Sequence, residues 1–519
     1  MPTDLLLLPA PAALIAAALI AATRPGSRPR LVPAAAELAG LVAALASAAA
    51  AVGLALGGPA TGATLGAWGF GFSLRLDAVS VTLALTVSLV GWAVLRYTRR
   101  YLDGEARQGA FTGWICATVA AALMLVQSGN LVQLAAAWVA TSLCLHRLLL
   151  FYPARPAARR AARKKFVMAR AGDAALLAGC AILAAGYGTG DIAAILDAAR
   201  AGGPAPHAVA AAGLLGLAAL VKSAQFPTHG WLTEMMESPT PASALLHAGV
   251  VNAGGFLLIR FAEVMLLAPG VLAGLALIGG FTALLGGLVM LTQPAVKTSL
   301  AWSTVAQMGF MILQCGLGLF GLALLHIVAH SLYKAHAFLA SGHAVEAVAA
   351  LRRPGPVAVP GRAAVGRAFL AALGLYAVAG AAFGLLGKPP QAIALGAILI
   401  LGVAYLFAQG LADAAPRALT QRVTMRALAA TLGYFALHEL AGLVAGGTLP
   451  PVPAPGPLEW LVMALTVLGF GAVALAQATL PLWAGHPAVA PLRVHLANGL
   501  YANAVFDRLT GGWSARKPV

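Results

Sequence analysis

The sequence predicts an all-α, polytopic membrane protein, and three observations support that fold class. Of the 519 residues, 61% are hydrophobic and only 9% are charged, whereas a soluble globular protein carries about 25% charged residues. About fifteen apolar segments are long enough to cross the hydrocarbon, which requires about 20 residues. These segments are rich in Leu, Ala and Gly and do not alternate in polarity, so transmembrane strands are not expected.

We expect thirteen to sixteen transmembrane helices, because several segment boundaries are soft. The first segment has no basic stretch before it and a basic cluster after it, so we interpret it as a span rather than a signal peptide. The expected spans cover residues 4–22, 31–57, 77–96, 109–127, 131–151, 166–188, 208–225, 243–266, 269–291, 296–315, 317–345, 365–387, 390–411, 423–446 and 457–480.

The formal net charge of +17 follows from basic loops on one side of the membrane. In a soluble protein this charge would indicate nucleic acid, but cytoplasmic loops of membrane proteins collect Lys and Arg. The loop after the fifth span, "ARPAARRAARKKFVMAR", has seven basic residues and no acid, whereas alternate loops such as "SGN" are nearly uncharged. We therefore expect a multi-pass membrane protein with its N-terminus outside, its C-terminus in the cytoplasm, lipid around it and no nucleic-acid partner.

No motif in the chain indicates a cofactor. The cysteines lie far apart inside spans and form no CxxC pair, so neither a metal cluster nor a disulfide framework is indicated. No GxGxxG opens a βαβ unit, and no GxxxxGK[ST] loop is present. A transporter without a nucleotide site must draw on an ion gradient or a redox partner, or run without an energy source.

The seventh span contains a lysine followed by a helix break. Residues 221–231 read "VKSAQFPTHGW", so Lys222 lies deep in the span and Pro227 then interrupts the helix. A charge at the bilayer centre costs about 2.5–3.5 kcal/mol, which makes it a functional candidate, and broken helices recur at transporter ion sites. A lysine that snorkels near a helix end is the alternative. Glu237 and His247 follow the break.

A second group of titratable residues lies in "LLHIVAHSLYKAHAFLASGHAVE". His326, His330 and Lys334 are spaced i, i+4 and i+8, so they share one helix face. Histidine gains and loses protons near neutral pH, which suits a proton relay. Metal binding by the two histidines would need a third ligand from another helix, and a packing role for any single histidine is the other alternative.

The stretch "KSAQFPTHGWLTEMMESPTPASALLHAGVVNAGGFLLIR" resembles the signature of proton-pumping antiporter-like membrane subunits. That family includes the large antiporter-like subunit of respiratory complex I and cation/proton antiporter subunits. The resemblance continues in "RAGDAALLAG", "AVKTSLAWSTVAQMGFM" and "HSLYKAHAFLASG". It implies an antiporter-like core of two inverted repeats with broken helices over residues 109–411, preceded by N-terminal helices over 1–108 and followed by C-terminal helices and a short cytoplasmic tail over 412–519.

The resemblance implies roles for individual residues. In the family, the lysine of the broken seventh span pairs with acids from spans five and six, so Asp173 is the acid expected beside Lys222. Lys388, in "FGLLGKPP", is loosely matched to a lysine of a second broken span. The proton path expected from the match and from the polar residues after the break comprises Lys222, Asp173, His247, His326, His330, Lys334, Lys388 and Glu237.

The chain also departs from the complex I pattern. In "AAAWVATSLCLHRLLLFYP", Val139 follows Trp138 where the family has a glutamate. That variant and the tail "LRVHLANGLYANAVFDRLTGG" resemble the DabB family, the membrane subunits of a two-component inorganic-carbon pump. This resemblance implies a transporter subunit rather than an enzyme, an ion gradient coupled to CO2 or bicarbonate uptake, and a large zinc-binding, carbonic-anhydrase-like partner.

Two alternatives stay open at this point. One is a proton-pumping subunit of a complex I or hydrogenase-type NADH–quinone oxidoreductase, in which the chain would be part of a redox enzyme. The other is a cation/proton antiporter subunit that works with several small membrane partners.

Overall fold

The chain folds into a bundle of α-helices, which confirms the predicted all-α polytopic class. The predicted boundary between residues 411 and 412 lies outside the described residues. The computed structural model describes residues 3–67, 69–203, 205–342, 361–410, 417–479, 483 and 485–510.

We number the described helices in chain order. Helices α1 to α21 are Pro9–Ala22, Val32–Gly57, Ala78–Tyr101, Gln108–Val126, Leu131–Leu149, Pro156–Tyr187, Ile192–Ala201, Pro206–Lys222, Gly230–Thr233, Thr240–Ala248, Ala253–Arg260, Ala262–Leu266, Pro269–Met290, Val296–Gly316, Phe320–Leu339, Arg362–Ala382, Pro390–Gly410, Arg417–Ala445, Pro457–Ala478, Val489–Ala497 and Ala502–Leu509. Strands β1 to β4 are Ala60–Thr61, Leu65–Ala67, Phe70–Phe72 and Arg75–Leu76.

The membrane-crossing segments correspond to the predicted spans. Within the described ranges, 12 helical segments are long and apolar enough to cross a membrane. Helices α8 and α17 contain shorter apolar stretches, and α14 coincides with the span expected at 296–315. The eighth expected span is divided among α10, α11 and α12. Every expected span therefore contains at least one helix.

A small β-structure between α2 and α3 was not predicted. Strand β1 pairs with β4 and β2 pairs with β3, both antiparallel. The Gly129 N–H donates to the Ser73 carbonyl at 2.8 Å, and Asn130 Nδ2 donates to the Gly69 carbonyl at 2.6 Å. A Cβ at Gly71 would lie 2.3 Å from a backbone oxygen of β2, so only glycine fits there. The loop is thereby fastened to the start of α5.

A buried ion pair joins the start of α3 to the end of α11. Asp77 caps α3 by accepting the Ser80 N–H at 2.8 Å. Its carboxylate lies 2.5 Å from Arg260 Nη1 and 2.6 Å from Arg75 Nε. Burial raises the pKa of Asp77, but the charges of Arg260 and Arg75 outweigh burial and hold that pKa well below its usual value. The pair fixes α11, which follows the break in predicted span seven.

Helices α13 and α14 approach each other closely at small residues. A Cβ on Gly309 would lie 2.5 Å from the Ala283 nitrogen, and one on Gly279 would lie 2.6 Å from the Gly309 carbonyl oxygen. Close backbone contact at small residues is the usual packing of helices in lipid. This contact sets the position of α14, which supplies hydrogen-bond partners to His326 and Lys334 of α15.

The buried pair should carry measurable stability. Arg260→Met should lower the free energy of unfolding by about 3–5 kcal/mol, because it leaves a buried carboxylate with too little positive charge. Arg28→Met is the control, since Arg28 pairs with Asp103 at the surface, where an ion pair contributes about 0–1 kcal/mol. Thermal unfolding of both variants in detergent checks this, and equal losses would contradict the role given to Arg260.

Candidate functional site

The predicted helix break lies immediately after Lys222. Helix α8 ends at this residue, and Ala224 has a φ of 51°, in the left-handed region. Backbone groups freed inside a membrane protein must be satisfied by neighbouring protein or water. Neighbouring side chains do so through three contacts: Gln225 Nε2 donates to the Ser223 carbonyl at 2.7 Å, the Phe226 N–H donates to Thr282 Oγ1 at 3.2 Å, and Trp231 Nε1 donates to the Val221 carbonyl at 3.3 Å.

Lys222 and Asp173 belong to one buried cluster with Trp138. The Lys222 Nζ lies 4.3 Å from the centroid of the Trp138 ring, a cation–π contact. Asp173 accepts the Trp138 indole N–H at 2.9 Å, and its other oxygen lies 2.5 Å from Arg170 Nη2. Within the described ranges, Lys222 Nζ is buried and makes no hydrogen bond. The predicted acid is therefore present, but Arg170 and Trp138 hold its carboxylate.

A small cavity lies between α5 and α15. It has a volume of about 50 Å³, which is room for about three waters. Its lining includes Thr141, one turn after Trp138 on α5, and Ser331, which follows His330 on α15. Asn252 Nδ2 donates to Ser331 Oγ at 2.9 Å. The rest of the lining is largely apolar, and the cavity borders the two helices that carry Trp138 and the row.

The predicted row on α15 is buried and bonded to α14. His326 Nδ1 is hydrogen-bonded to Gln314 Oε1 at 2.7 Å, and the His326 and His330 rings are 6.1 Å apart. Lys334 Nζ donates to Ser303 Oγ at 2.7 Å. Both ring nitrogens of His330 are buried without a hydrogen-bond partner among the described residues. Such bare nitrogens are free to bind water or a proton.

His247 joins the row from α10. Its ring stacks on that of Phe338, with centroids 4.3 Å apart. Its two ring nitrogens are also buried and lack hydrogen-bond partners in the described structure. Phe338 lies two turns after His330 on α15, so the ring of His247 lies against the helix that carries the row.

A larger cavity continues from the row towards α17 and α18. Its volume is about 420 Å³, and its polar lining includes Gln307, His326, His330 and Tyr434. Tyr434 lies on α18 and donates its hydroxyl to the Ala392 carbonyl at 2.9 Å. The cavity places water-sized space directly against two members of the row.

Lys388 lies beyond this cavity. It sits between α16 and α17 and is bonded to Glu439 of α18, whose side chain is half exposed. The ring of His438 lies 6.5 Å from that of Tyr434. Tyr434, His438 and Glu439 of α18 therefore lead from the cavity to Lys388, which lies beside the half-exposed Glu439. His438 was missed by the sequence prediction, because its region matches the family only weakly.

Glu237 is separate from the buried cluster and from the row. It lies 2.9 Å from Arg155 in an ion pair of which both side chains are exposed. The neighbouring Glu234 binds Lys164 at 3.0 Å, and Lys164 also binds Asp507 of α21 at 2.6 Å. These contacts fasten the segment after the break to the start of α6 and to the C-terminal helix.

A metal site is not evident in the described chain. Among those residues, no group of three His, Cys, Asp or Glu side chains is arranged to hold a metal ion.

Two family models match the chain. Residues 128–412 match the model described as NADH:quinone oxidoreductase/Mrp antiporter, transmembrane. Residues 63–112 match the N-terminus of chain 5 of NADH-ubiquinone oxidoreductase, complex I. Together these matches contain the Lys222 cluster and the row on α15.

Curated relatives belong to two kinds of complex. A probable inorganic carbon transporter subunit DabB2 of Halothiobacillus neapolitanus is 41% identical over 450 residues, which cover 84% of this chain and 80% of that protein. A probable DabB of Hydrogenovibrio crunogenus is 43% identical over 273 residues, covering 52% of this chain and 53% of that one. The NADH-quinone oxidoreductase subunit L of Mycobacterium tuberculosis is 35% identical over 319 residues, covering 60% and 50%.

Solved structures share the fold. The Mrp complex from Dietzia sp. contains a chain with a TM-score of 0.57 and 24% identity, over 98% of this chain and 58% of that one. An archaeal membrane-bound sulfane sulfur reductase contains a chain with a TM-score of 0.58 and 15% identity, over 97% and 99%. At these identities the similarity concerns the fold alone.

Lys222 should be essential for ion-dependent transport. Lys222→Ala should lower the rate by about 100-fold or more, as expected when a positioned proton-transfer group is lost. Lys222→Arg should fail as well, because arginine stays protonated. The measurement is ion-dependent uptake in membranes that contain equal amounts of assembled protein. Wild-type uptake by Lys222→Ala would show that the lysine is only structural.

The row on α15 should act as a unit. One missing histidine can be bridged by water in the adjoining cavity, so His326→Ala should retain part of the activity. The double variant His330→Ala with Lys334→Ala should stop transport, because it removes two neighbouring titratable groups. Uptake assays on intact cells check this, and full activity of the double variant would mean that the row only packs.

Proposed function

Since this chain belongs to the NADH:quinone oxidoreductase/Mrp antiporter membrane family, we propose that it is the ion-conducting subunit of an energy-coupled inorganic carbon uptake complex. The conducted ion is the proton in this proposal, and the carbon species is CO2 or bicarbonate. The DabB-type relatives support the carbon assignment, because their names describe inorganic carbon transporter subunits. The chain itself acts as a transporter subunit.

The observation that carries the proposal is the succession of buried titratable groups across the bundle. It begins at Lys222, against the Trp138 ring of α5, and continues with His330 and His326 on α15, while a small, largely apolar cavity lies between α5 and α15. A second cavity then leads towards Lys388 and the half-exposed Glu439. Buried ionisable groups are costly in a membrane, and they are retained where an ion path needs them.

A gradient supplies enough energy for this role. One elementary charge that moves through about 100 mV releases about 2.3 kcal/mol. Since each 1.4 kcal/mol changes an equilibrium constant by about tenfold, one proton per turnover shifts an exchange by several tens of fold. The chain can therefore make a partner's reaction effectively one-way without a nucleotide.

The proposed partner is a large zinc-binding, carbonic-anhydrase-like subunit. The relatives are subunits of multi-subunit membrane complexes, so this chain is expected in a heterocomplex. The basic residues at the start of α6 favour a cytoplasmic position for that end of the helix. In the proposal, the chain lies in the bacterial inner membrane with its N-terminus outside and its C-terminus in the cytoplasm.

The proposed path includes Asp173, His247, His326 and Lys334 with the residues named above, and Glu237 as a surface group. The antiporter-like core would cover residues 109–411 as two inverted repeats, with further helices over 1–108 and 412–519. Lys388 would mark the outer end of the second repeat's half-channel.

A second candidate is a proton-pumping subunit of an NADH-quinone oxidoreductase. The identity of 35% to a subunit L favours it. Val139 argues against it, because the family resemblance calls for a glutamate after Trp138. Purification decides between the two: a single large zinc protein supports carbon uptake, whereas a redox arm supports the oxidoreductase.

Carbon accumulation should depend directly on the ion gradient. In cells that express this chain with its partner, a protonophore should collapse labelled bicarbonate accumulation before cellular ATP falls, because no nucleotide step intervenes. Persistent accumulation without a proton gradient, together with insensitivity to sodium removal, would contradict the proposal. Matched cells that carry Lys222→Ala provide the background level.

A further inference from the structure

A second buried lysine lies beside the Lys222 cluster. Lys165 of α6 is only 5% exposed, and its Nζ donates to the Ser142 carbonyl at 2.6 Å and to Ser142 Oγ at 2.9 Å. In the described chain, no carboxylate lies within ion-pair distance of Lys165, although buried lysines are normally paired. The lysine occupies the α5–α6 interface one turn from Val139, the position where the family has its glutamate.

The charges around Lys165 are unbalanced. Lys165 and Asp173 are eight residues apart on α6 and share a face. Helix α6 packs on α8 beside Lys222, since a Cβ on Gly172 would lie 3.5 Å from the Val221 side chain. Lys165 lies two turns before Gly172, and the charges of Lys222, Arg170 and Asp173 act on it. Three cationic side chains therefore share one carboxylate, which Arg170 and Trp138 already hold. Like charges that share a buried site do not all stay ionised.

His146 lies on the water side of Lys165. It follows Ser142 by one turn on α5 and is half-buried, near the end of the helix at Leu149. Its Nδ1 is buried without a hydrogen-bond partner in the described structure, and its ring lies 5.1 Å from that of Phe166, the residue after Lys165. Beyond it lies the exposed, basic start of α6, from Arg155 to Arg163.

We propose that His146 and Lys165 form an access branch, which carries protons between Lys222 and water at the α5–α6 end of the bundle. The branch rests on the proposed function and adds two residues to its path. A proton bound at His146 moves to a neutral Lys165, directly or through water, and then to a neutral Lys222. Each transfer breaks one N–H bond and forms another.

The groups that face the branch come from three helices. Cys144 and Arg147 lie on α5, Arg170 and Asp173 on α6, and Lys222 on α8. Of these groups, the two lysines and His146 are the ones that exchange protons in the proposal. Arginine stays protonated, and Asp173 is held by its partners.

The test uses the purified complex in proteoliposomes, with proton uptake followed by a pH-sensitive dye. Lys165→Met and Lys165→Arg should each lower the rate at least tenfold, since neither can take up and release a proton. Lys165→His should keep most of the rate at low pH. As pH rises, its activity should fall off earlier than that of the wild type, because imidazole loses its proton near 6.5 and an amine near 10.4. His146→Ala should slow uptake to a similar extent.

If Lys165 has only a packing role, the order of activities among the Lys165 variants should be reversed. Arginine can still donate to the Ser142 oxygens, so Lys165→Arg would then stay active and Lys165→His would not; that result overturns the branch. Wild-type uptake by His146→Ala overturns it too, and His146 is near the surface, so this variant remains informative if Lys165 variants misassemble. Arg163→Ala is the matched control, because it removes a like charge from an exposed position on the same helix.

The Lys222→Ala variant distinguishes failure of the access branch from failure of the proposed function. If Lys222→Ala abolishes uptake while the Lys165 variants are unaffected, the ion path stands and the branch is wrong. If Lys222→Ala and the Lys165 variants are all fully active, the proposed function itself fails.

Discussion

The helix that ends at Lys222 imposes the constraint on which the rest of the site depends. A helix can stop inside a membrane-spanning bundle only when neighbours satisfy the backbone groups that it leaves free. Trp231 and Thr282 meet that requirement, because Trp231 Nε1 donates to the Val221 carbonyl and Thr282 Oγ1 accepts the Phe226 N–H. The break therefore places a lysine, held by its last helical turn, against the ring of Trp138.

The way in which this charge is held suits transport. A direct ion pair between Lys222 and Asp173 would bind the proton firmly, but Asp173 is engaged by Arg170 and Trp138. The Lys222 ammonium contacts the face of the Trp138 ring and lies near the charge of Asp173. These interactions stabilise the ammonium without a direct ion pair. Conduction requires binding that is favourable enough to enter and weak enough to leave.

Much of this arrangement could be predicted from local sequence. Hydropathy located every span, because a membrane demands about 20 apolar residues in a row. The spacing of His326, His330 and Lys334 placed them on one face. The short glycine-rich strands after α2 carry no polar alternation and were missed. Lys165 was hidden in a basic run that indicates topology, and only helix packing shows that it is buried.

The proposed function requires that this chain moves protons in step with carbon. To measure this coupling, the purified complex is reconstituted in proteoliposomes, and proton flux and labelled bicarbonate flux are recorded together under an imposed gradient. We expect a fixed ratio of the two fluxes, and carbon accumulation that reverses when the gradient is reversed. Carbon accumulation with no accompanying proton movement, in medium without sodium, would contradict it.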